Sequence, residues 1–221
     1  MAKRPVFVPQ RGIPRVRVLE PDFEWFAGFA LSQQQKSIAS LHGAARAHGV
    51  KSPLEISSKS PEELGTRLSA FNLLVDHPTA GRVPLESAFQ AAKVFGRGGP
   101  YRELASAAPR DAKGDPRLRN SGLLIRFEWD EQRYPNRPTT AFYDWLYMKG
   151  LSLLDDDARS LILQRDGFTD IAFNPERSIN CQASSAALFV SLAKDGCDQP
   201  WRMSFEEFLE HAYGARGGAG R

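Results

Sequence analysis

Residues Pro84–Phe95 read P-L-E-S-A-F-Q-A-A-K-V-F, and this stretch predicts an amphipathic helix. Its proline suits the first helical position, and Glu86 falls in the first turn, where the helix dipole favours a negative charge. The glycine pair Gly98–Gly99 supplies the stop. Because Glu86, Gln90 and Lys93 follow one another at spacings of four and three residues, they share one helix face. The stretch therefore aligns an acid, an amide and an amine.

Two interpretations of this polar stripe are open. At about 1.5 Å of rise per residue, Glu86 and Lys93 would lie roughly 10 Å apart along the helix axis. That separation is too long for a direct ion pair but suits two groups that flank a sugar-sized ligand. The alternative is a solvent-exposed helix face that carries a charged residue near each end.

The composition is that of an ordinary globular protein. Of 221 residues, 42% are hydrophobic and 25% are charged, which suits one large domain or one domain with an elaborated terminus. The net charge of +3 does not by itself demand a nucleic acid partner. One segment is more basic and predicts either a local anion site or a solvated loop. It carries the cations Arg97, Arg102, Arg110, Lys113, Arg117, Arg119 and Arg126 against the acids Glu103, Asp111 and Asp115.

Several classes of protein are disfavoured by features that the sequence lacks. Cys181 and Cys197 cannot form a disulfide framework, and no C-x-x-C or H-E-x-x-H spacing is present, so we expect no metal site. No run approaches the roughly 18 apolar residues of a membrane span. The basic N-terminus lacks the apolar core of a signal peptide. We therefore expect a cytoplasmic protein that makes no membrane contact.

The chain divides by composition into three parts. Residues 1–21 mix prolines with short β-branched runs and predict an extended arm or edge strand. Residues 22–213 hold the main predicted domain, and residues 214–221 form a Gly/Ala/Arg tail that predicts disorder. Apolar periodicity predicts an α+β fold, mostly helical, with a few short strands in a single domain. The clearest elements are a strand over Leu123–Trp129 and helices over Thr139–Leu154 and Gln182–Lys194.

Three segments in this order resemble the NADAR family. They are L-S-A-F at Leu68–Phe71, E-S-A-F-Q-A-A-K at Glu86–Lys93, and the acid-aromatic pair Asp144–Trp145. The run A-P-R-D-A-K at 108–113 also resembles a family element, and the core of the resemblance covers roughly Leu68 to Leu151.

The whole chain more closely resembles one branch of that family, which accompanies DNA-modifying ADP-ribosyltransferase toxins of the DarT kind. The sequence departs from the family pattern at Ser87, where the family has histidine, and at Ala70, where it has asparagine. The C-terminal W-G of the family has no counterpart here. Asn72, Asp170 and the segment Asn174–Gln182 are candidate replacements.

The resemblance implies both an activity and a partner. NADAR proteins are N-glycosidases for ADP-ribose or ribose-phosphate conjugates, and the branch implies removal of ADP-ribose from guanine bases in DNA without a cofactor. The expected partners are ADP-ribosylated DNA or nucleotide and a cognate toxin encoded nearby. Two alternatives are an N-glycosidase for free ribose-phosphate metabolites, such as riboflavin-pathway intermediates, and a non-catalytic module that binds ADP-ribose or the toxin.

The stripe carries residue types that suit cleavage of a C–N bond at an anomeric carbon. Such a reaction passes through an oxocarbenium-like state, which an ionised Glu86 would stabilise. Lys93 lies among apolar residues that would lower its pKa on burial. Its neutral amine could then attack the anomeric carbon, or its charged form could hold a phosphate.

The remaining candidate residues are assigned by residue type. Asp144 is a candidate to protonate or orient the departing base, and Trp145 either stacks on a base or belongs to the core. The candidates for substrate binding, with Gln90 and Trp145, are Lys59 for the pyrophosphate, Phe71 and Asn72 for the sugar, Tyr101 for stacking, and Asp170.

Overall fold

The computed structural model describes residues 1–176 and 179–214. The predicted tail at 214–221 therefore lies outside the described residues, apart from Gly214. The strands are β1 (Ala2–Lys3), β2 (Val6–Pro9), β3 (Val16–Leu19), β4 (Asp22–Phe23), β5 (Pro53–Glu55), β6 (Leu74–His77), β7 (Gly81–Pro84), β8 (Lys93–Phe95), β9 (Leu124–Trp129), β10 (Gln132–Pro135) and β11 (Gly167–Thr169). The helices are α1 (Leu31–Ala47), α2 (Glu63–Arg67), α3 (Leu85–Ala91), α4 (Pro109–Gly114), α5 (Arg117–Asn120), α6 (Ala141–Leu151), α7 (Asp156–Leu163), α8 (Gln182–Lys194) and α9 (Phe205–Tyr213).

The fold is α+β with more helix than strand, as the sequence predicted. By their internal contacts, the residues fall into two compact units. The first unit is formed by Met1–Ser69 together with the chain from Leu154 onward, and the second unit by Ala70–Leu153.

A four-stranded sheet forms the centre of the first unit, with the strand order β3-β2-β11-β5. Strand β11 pairs in parallel with β5 and antiparallel with β2. Residues 1–21 supply β1, β2 and β3, of which β3 lies at one edge of this sheet and β2 lies between β3 and β11. The sequence boundary at residue 21 stays a prediction.

The second unit contains the β6–β7 hairpin, the sheet β10-β9-β8 and the helices α3 and α6. Its core is aromatic. The rings of Phe127 on β9 and Phe142 on α6 are stacked with centroids 4.4 Å apart, and Phe89 of α3 lies 5.4 Å from Phe127. These contacts fix α3 between the sheet and α6.

The predicted helix over Pro84–Phe95 is wrong at its C-terminal end. Helix α3 ends at Ala91, and Lys93 begins β8, where it pairs with Phe127. The carbonyl of Ala92 accepts a hydrogen bond from the backbone N–H of Glu128 at 2.8 Å, so pairing with β9 replaces the last helical turn. Tertiary pairing overrides local helix propensity here. The predicted strand at Leu123–Trp129 is confirmed as β9.

Candidate active site

The polar stripe of α3 is buried and forms one hydrogen-bonded chain. Glu86 and Gln90 are each only 5% exposed, which contradicts the interpretation as a solvent-exposed face. Gln90 Nε2 donates to Glu86 Oε1 at 2.8 Å, and Lys93 Nζ donates to Gln90 Oε1 at 2.7 Å. The amide thus bridges an acid and an amine that would be too far apart to pair directly.

Backbone hydrogen bonds hold the start of α3. The N–H of Glu86 donates to the carbonyl of Ala70 at 2.9 Å, and the N–H of Leu85 donates to that of Leu73 at 2.8 Å. These bonds use helix N–H groups that have no partner within the helix. They also tie the segment that contains Phe71 and Asn72 to the first turn of α3.

Ser87, which replaces the family's histidine, has a structural role in this chain. Its side chain is fully buried, and its hydroxyl donates to the carbonyl of Ala107 at 2.8 Å. This bond fastens α3 to the segment before α4.

A second amine approaches the acid from α4. Lys113 Nζ lies 3.6 Å from Glu86 Oε1 and 5.7 Å from the centroid of the Phe71 ring. In the sequence, Lys113 belongs both to the basic segment and to the A-P-R-D-A-K run at 108–113, but it was not among the candidate site residues. Its position in the A-P-R-D-A-K run was the signal that could have singled it out.

Burial sets the protonation of Lys93. Desolvation lowers the pKa of its amine from 10.5 to about 8; the charge of Glu86 opposes this shift, and that of Lys113 adds to it. The amine also lies 4.5 Å from the centroid of the Phe89 ring. A minor but usable fraction of Lys93 is therefore neutral near pH 7.

Asp144 and Trp145 are both buried on α6. The indole lies 5.3 Å from the Tyr134 ring and 6.0 Å from the Phe142 ring, and Lys149 Nζ lies 4.9 Å from its centroid. This is the packing that the core interpretation of Trp145 predicts. Stacking on substrate, and a proton-transfer role for Asp144, stay predictions.

Tyr101 has partners of its own in the second unit. Its hydroxyl hydrogen-bonds with that of Ser121, and the Arg117 guanidinium lies 4.3 Å from the centroid of its ring. One face of the ring is therefore covered by a cation. Phe71 is half-buried and Asn72 is exposed.

Lys59 and Asp170 lie in the first unit. Lys59 is half-buried. Asp170 is buried, with Oδ2 accepting from Gln182 Nε2 at 3.0 Å and Oδ1 from the N–H of Ala172 at 3.0 Å. Burial, followed by the charge of Glu55, raises the pKa of Asp170 to about 7.

The neighbour of Asp170, Glu55, was not singled out from the sequence. It is fully buried, and it accepts hydrogen bonds from Ser57 Oγ at 2.7 Å, from Thr169 Oγ1 at 2.6 Å and from the N–H of Ile171 at 2.9 Å. Because the Thr169 hydroxyl donates its hydrogen bond to Glu55, its oxygen accepts one from His42 Nε2 at 2.9 Å. Its position between the aliphatic residues Leu54 and Ile56 was the available signal.

The part of the chain that the structure describes lacks two features. Over 1–176 and 179–214, no three His, Cys, Asp or Glu side chains are grouped as metal ligands would be. No helix in the same ranges has the length and apolar character to cross a membrane.

Comparison with known proteins identifies the family. A family model described as the DarT1-associated NADAR antitoxin matches residues 2–217, nearly the whole chain. No curated protein matches the sequence. The resemblance carried by the segments at 68–71, 86–93 and 144–145 is thereby confirmed. The chain belongs to the NADAR-DarT1 family, the DarT1-associated NADAR antitoxins.

Proposed function

We propose that this protein is an N-glycosidase that removes ADP-ribose from modified guanine bases in DNA and so reverses a DarT-type toxin. The observation that carries the proposal is the buried chain from Glu86 through Gln90 to Lys93. Family membership supports the antitoxin role. The chemistry of the buried chain supports the glycosidase activity.

Glu86 supplies negative charge where the reaction needs it. The bond to be cleaved joins guanine to the anomeric carbon of the ADP-ribose, which we call C1′, and its cleavage develops positive charge on that ribose. A carboxylate that is 5% exposed and held by Gln90 acts in a site of low dielectric, where its field is strong. Asp144 is our candidate to supply the proton that the departing base takes up.

Lys93 acts as the nucleophile in the proposed route. Its neutral amine forms a bond to C1′ while the C1′–N bond to guanine breaks, and the bonding pair leaves with the base, which gains a proton. The nitrogen loses a proton, O4′ leaves C1′ as a hydroxyl, and an imine forms. Water then adds to the imine and releases ADP-ribose and the free amine. In the alternative role, a charged Lys93 only holds a phosphate.

The test is incubation with an oligonucleotide that bears ADP-ribosyl guanine, with released ADP-ribose and restored strand mass as readouts. We expect Glu86→Ala to lower turnover by about 10²–10³-fold. We expect Lys93→Ala and Lys93→Arg to lower it at least as far, because arginine keeps the charge but is no nucleophile. Arg82→Ala, an exposed cation close before α3, is the control and should retain full turnover.

Borohydride added during turnover would reduce the imine and leave a mass adduct on Lys93. Full activity of Lys93→Arg without an adduct would assign Lys93 the electrostatic role. No release by the wild type would reject the proposed function. Release only from a free ribose-phosphate conjugate in a parallel incubation would establish the metabolite enzyme instead.

A further inference from the structure

Lys113 brings a second amine to the candidate site, and most of its side chain faces solvent. The side chain is 58% exposed, whereas that of Glu86, its ion-pair partner, is 7% exposed. Their separation of 3.6 Å, from Nζ to Oε1, is that of an ion pair but too long for a hydrogen bond. Within residues 1–176 and 179–214 the amine donates no hydrogen bond, so its three N–H groups are available to a ligand.

The packing of α4 fixes where this amine is presented. Ala112, the residue before Lys113, is fully buried in an apolar cluster with Ala91 of α3 and Leu104. The hydrogen bond from the Ser87 hydroxyl holds the segment before α4 against α3 as well. Lys113 therefore stands at a fixed place beside the polar stripe, all within the second unit.

Two amines share one carboxylate in this cluster. Besides burial, the charge of Glu86 raises the pKa of Lys93 and that of Lys113 lowers it, so all three lie within electrostatic reach of one another. The exposed Arg110 and Asp111 of α4 offset each other. When both amines are protonated, the cluster carries one more positive than negative charge. An anion is the ligand that balances it.

The polar groups also follow one another in a fixed order. Gln90 and Glu86 link the two amines through contacts of 2.7 Å, 2.8 Å and 3.6 Å. Among the described residues, none donates to Oε2 of Glu86, so this oxygen is available to a ligand hydroxyl. A ribose phosphorylated on C5′ presents its anomeric carbon, its two hydroxyls and its phosphate in a matching order.

We propose that Lys113 binds a phosphate joined to C5′ of the ribose on which Glu86 and Lys93 act. The position of the ribose rests on the proposed function, whereas the anion site rests on the exposed amine and the charge balance. The two amines then have different tasks, because Lys113 selects phosphorylated ribose and Lys93 acts at C1′. A phosphate of the DNA backbone has the same chemistry, and the test separates the two sources.

The test compares two oligonucleotides, one with ADP-ribose on guanine and one with ribose that carries no phosphate. We expect Lys113→Ala to lower kcat/KM for the ADP-ribosyl strand by about 10- to 100-fold, because a hydrogen bond between charged groups is lost. For the ribosyl strand the loss should stay below about fivefold. Lys113→Arg should retain most of the activity on both strands. Arg133→Ala, which removes an exposed cation of β10, is the control and should act as the wild type does.

Calorimetry with free ADP-ribose tests the same site without turnover. Lys113→Ala should weaken this binding by about 10- to 100-fold and leave the affinity for an unmodified oligonucleotide unchanged. Unchanged affinity for ADP-ribose in Lys113→Ala would overturn the proposal. If affinity for the unmodified strand fell instead, the amine would be assigned to a phosphate of the DNA backbone.

The two substrates also separate binding of phosphate from an effect on the carboxylate. An equal loss of kcat/KM on both strands would overturn the proposal, because it would mean that Lys113 acts only through Glu86. A wild type that binds ADP-ribose through Lys113 but releases none from DNA would reject only the proposed function. Turnover of both strands that does not depend on Lys113 would reject only the phosphate site.

Discussion

The side chain of Gln90 determines how the acid and the amine of the candidate site influence each other. Its amide nitrogen is committed to Glu86 and its oxygen to Lys93. The Lys93 amine therefore donates to the neutral amide oxygen of Gln90 at 2.7 Å, and the Glu86 carboxylate is linked to it only through that amide. A neutral acceptor leaves the effect of burial on the Lys93 pKa largely uncompensated.

Replacing Gln90 by glutamate tests the role of Lys93 through pH. In the wild type we expect kcat/KM to rise with pH, with a midpoint near the Lys93 pKa of about 8, because only the neutral amine attacks C1′. Glutamate at position 90 would lie in contact with Glu86, where the amide donates at 2.8 Å in the wild type, so the two carboxyls share a proton. When the ionised carboxyl is the one beside Lys93, it favours the charged amine, so the rising limb of Gln90→Glu should move about one to three pH units higher. Rates from pH 6 to 10 measure this shift.

Glu128→Gln, which changes an acid to an amide, serves as the control. Glu128 lies in the second unit and pairs with Arg102 and Arg126, and its replacement should leave the midpoint of the pH profile in place. A wild-type profile that falls with pH through the same range would contradict the nucleophilic role and favour a charged Lys93 that holds a phosphate.

At the scale of elements, the sequence predicted features that depend on local spacing and missed those that depend on pairing between distant segments. Spacing placed Glu86, Gln90 and Lys93 together correctly, although Lys93 lies on β8, because its side chain still reaches back over the last turn of α3. The end of α3 could not be predicted, since it depends on pairing with β9, more than thirty residues away in the chain. The parallel pairing of β5 with β11 spans a still longer separation and leaves no local signal. The contacts of Glu55 with Thr169 and of Lys113 with Glu86 also join segments that are distant in the chain, so local patterns do not predict them.

Helix α2 packs so closely on β5 that glycine is required at position 65. A Cβ built on Gly65 would lie 2.0 Å from the carbonyl oxygen of Glu55 and 2.3 Å from Ser60 Oγ. Alanine normally stabilises a helix relative to glycine, but here the backbone oxygen cannot move away cheaply. We expect Gly65→Ala to lower the free energy of unfolding by about 1–3 kcal/mol.

Gly43 of α1 is the matched control in the same unit. A Cβ at that exposed position meets nothing within 4 Å, so Gly43→Ala should raise the free energy of unfolding by about 0.5–1 kcal/mol. Urea unfolding of both variants measures the difference. A Gly65→Ala variant as stable as Gly43→Ala would show that α2 can shift away from β5 without loss.

For the whole molecule, two buried groups of the first unit make stability depend on pH in opposite directions. Burial, followed by the charges of Arg46 and Arg165, lowers the pKa of His42 from 6.5 to about 4. The unfolded chain then binds the extra proton between those values, and stability rises with pH across that window. Asp170, whose pKa rises from 3.8 to about 7, binds its extra proton in the folded state. Its contribution to stability is lost as pH rises from about 4 to 7.

Removing the titration of Asp170 should therefore shift the pH dependence of stability towards that of His42. Burial raises the pKa of Glu55 as well, so this acid lowers stability with rising pH in both proteins. We therefore expect the free energy of unfolding of Asp170→Asn to have a more positive slope with pH than that of the wild type between about 4 and 7, because one of the two acids that bind an extra proton in the folded state is gone. Because asparagine also disturbs the bond from Gln182, the slope with pH decides, and not the absolute stability. Urea unfolding at half-unit pH steps measures it, with the exposed Asp157→Asn as the control. Parallel curves for the wild type and Asp170→Asn would mean that Asp170 is ionised throughout this range, despite its burial beside Glu55.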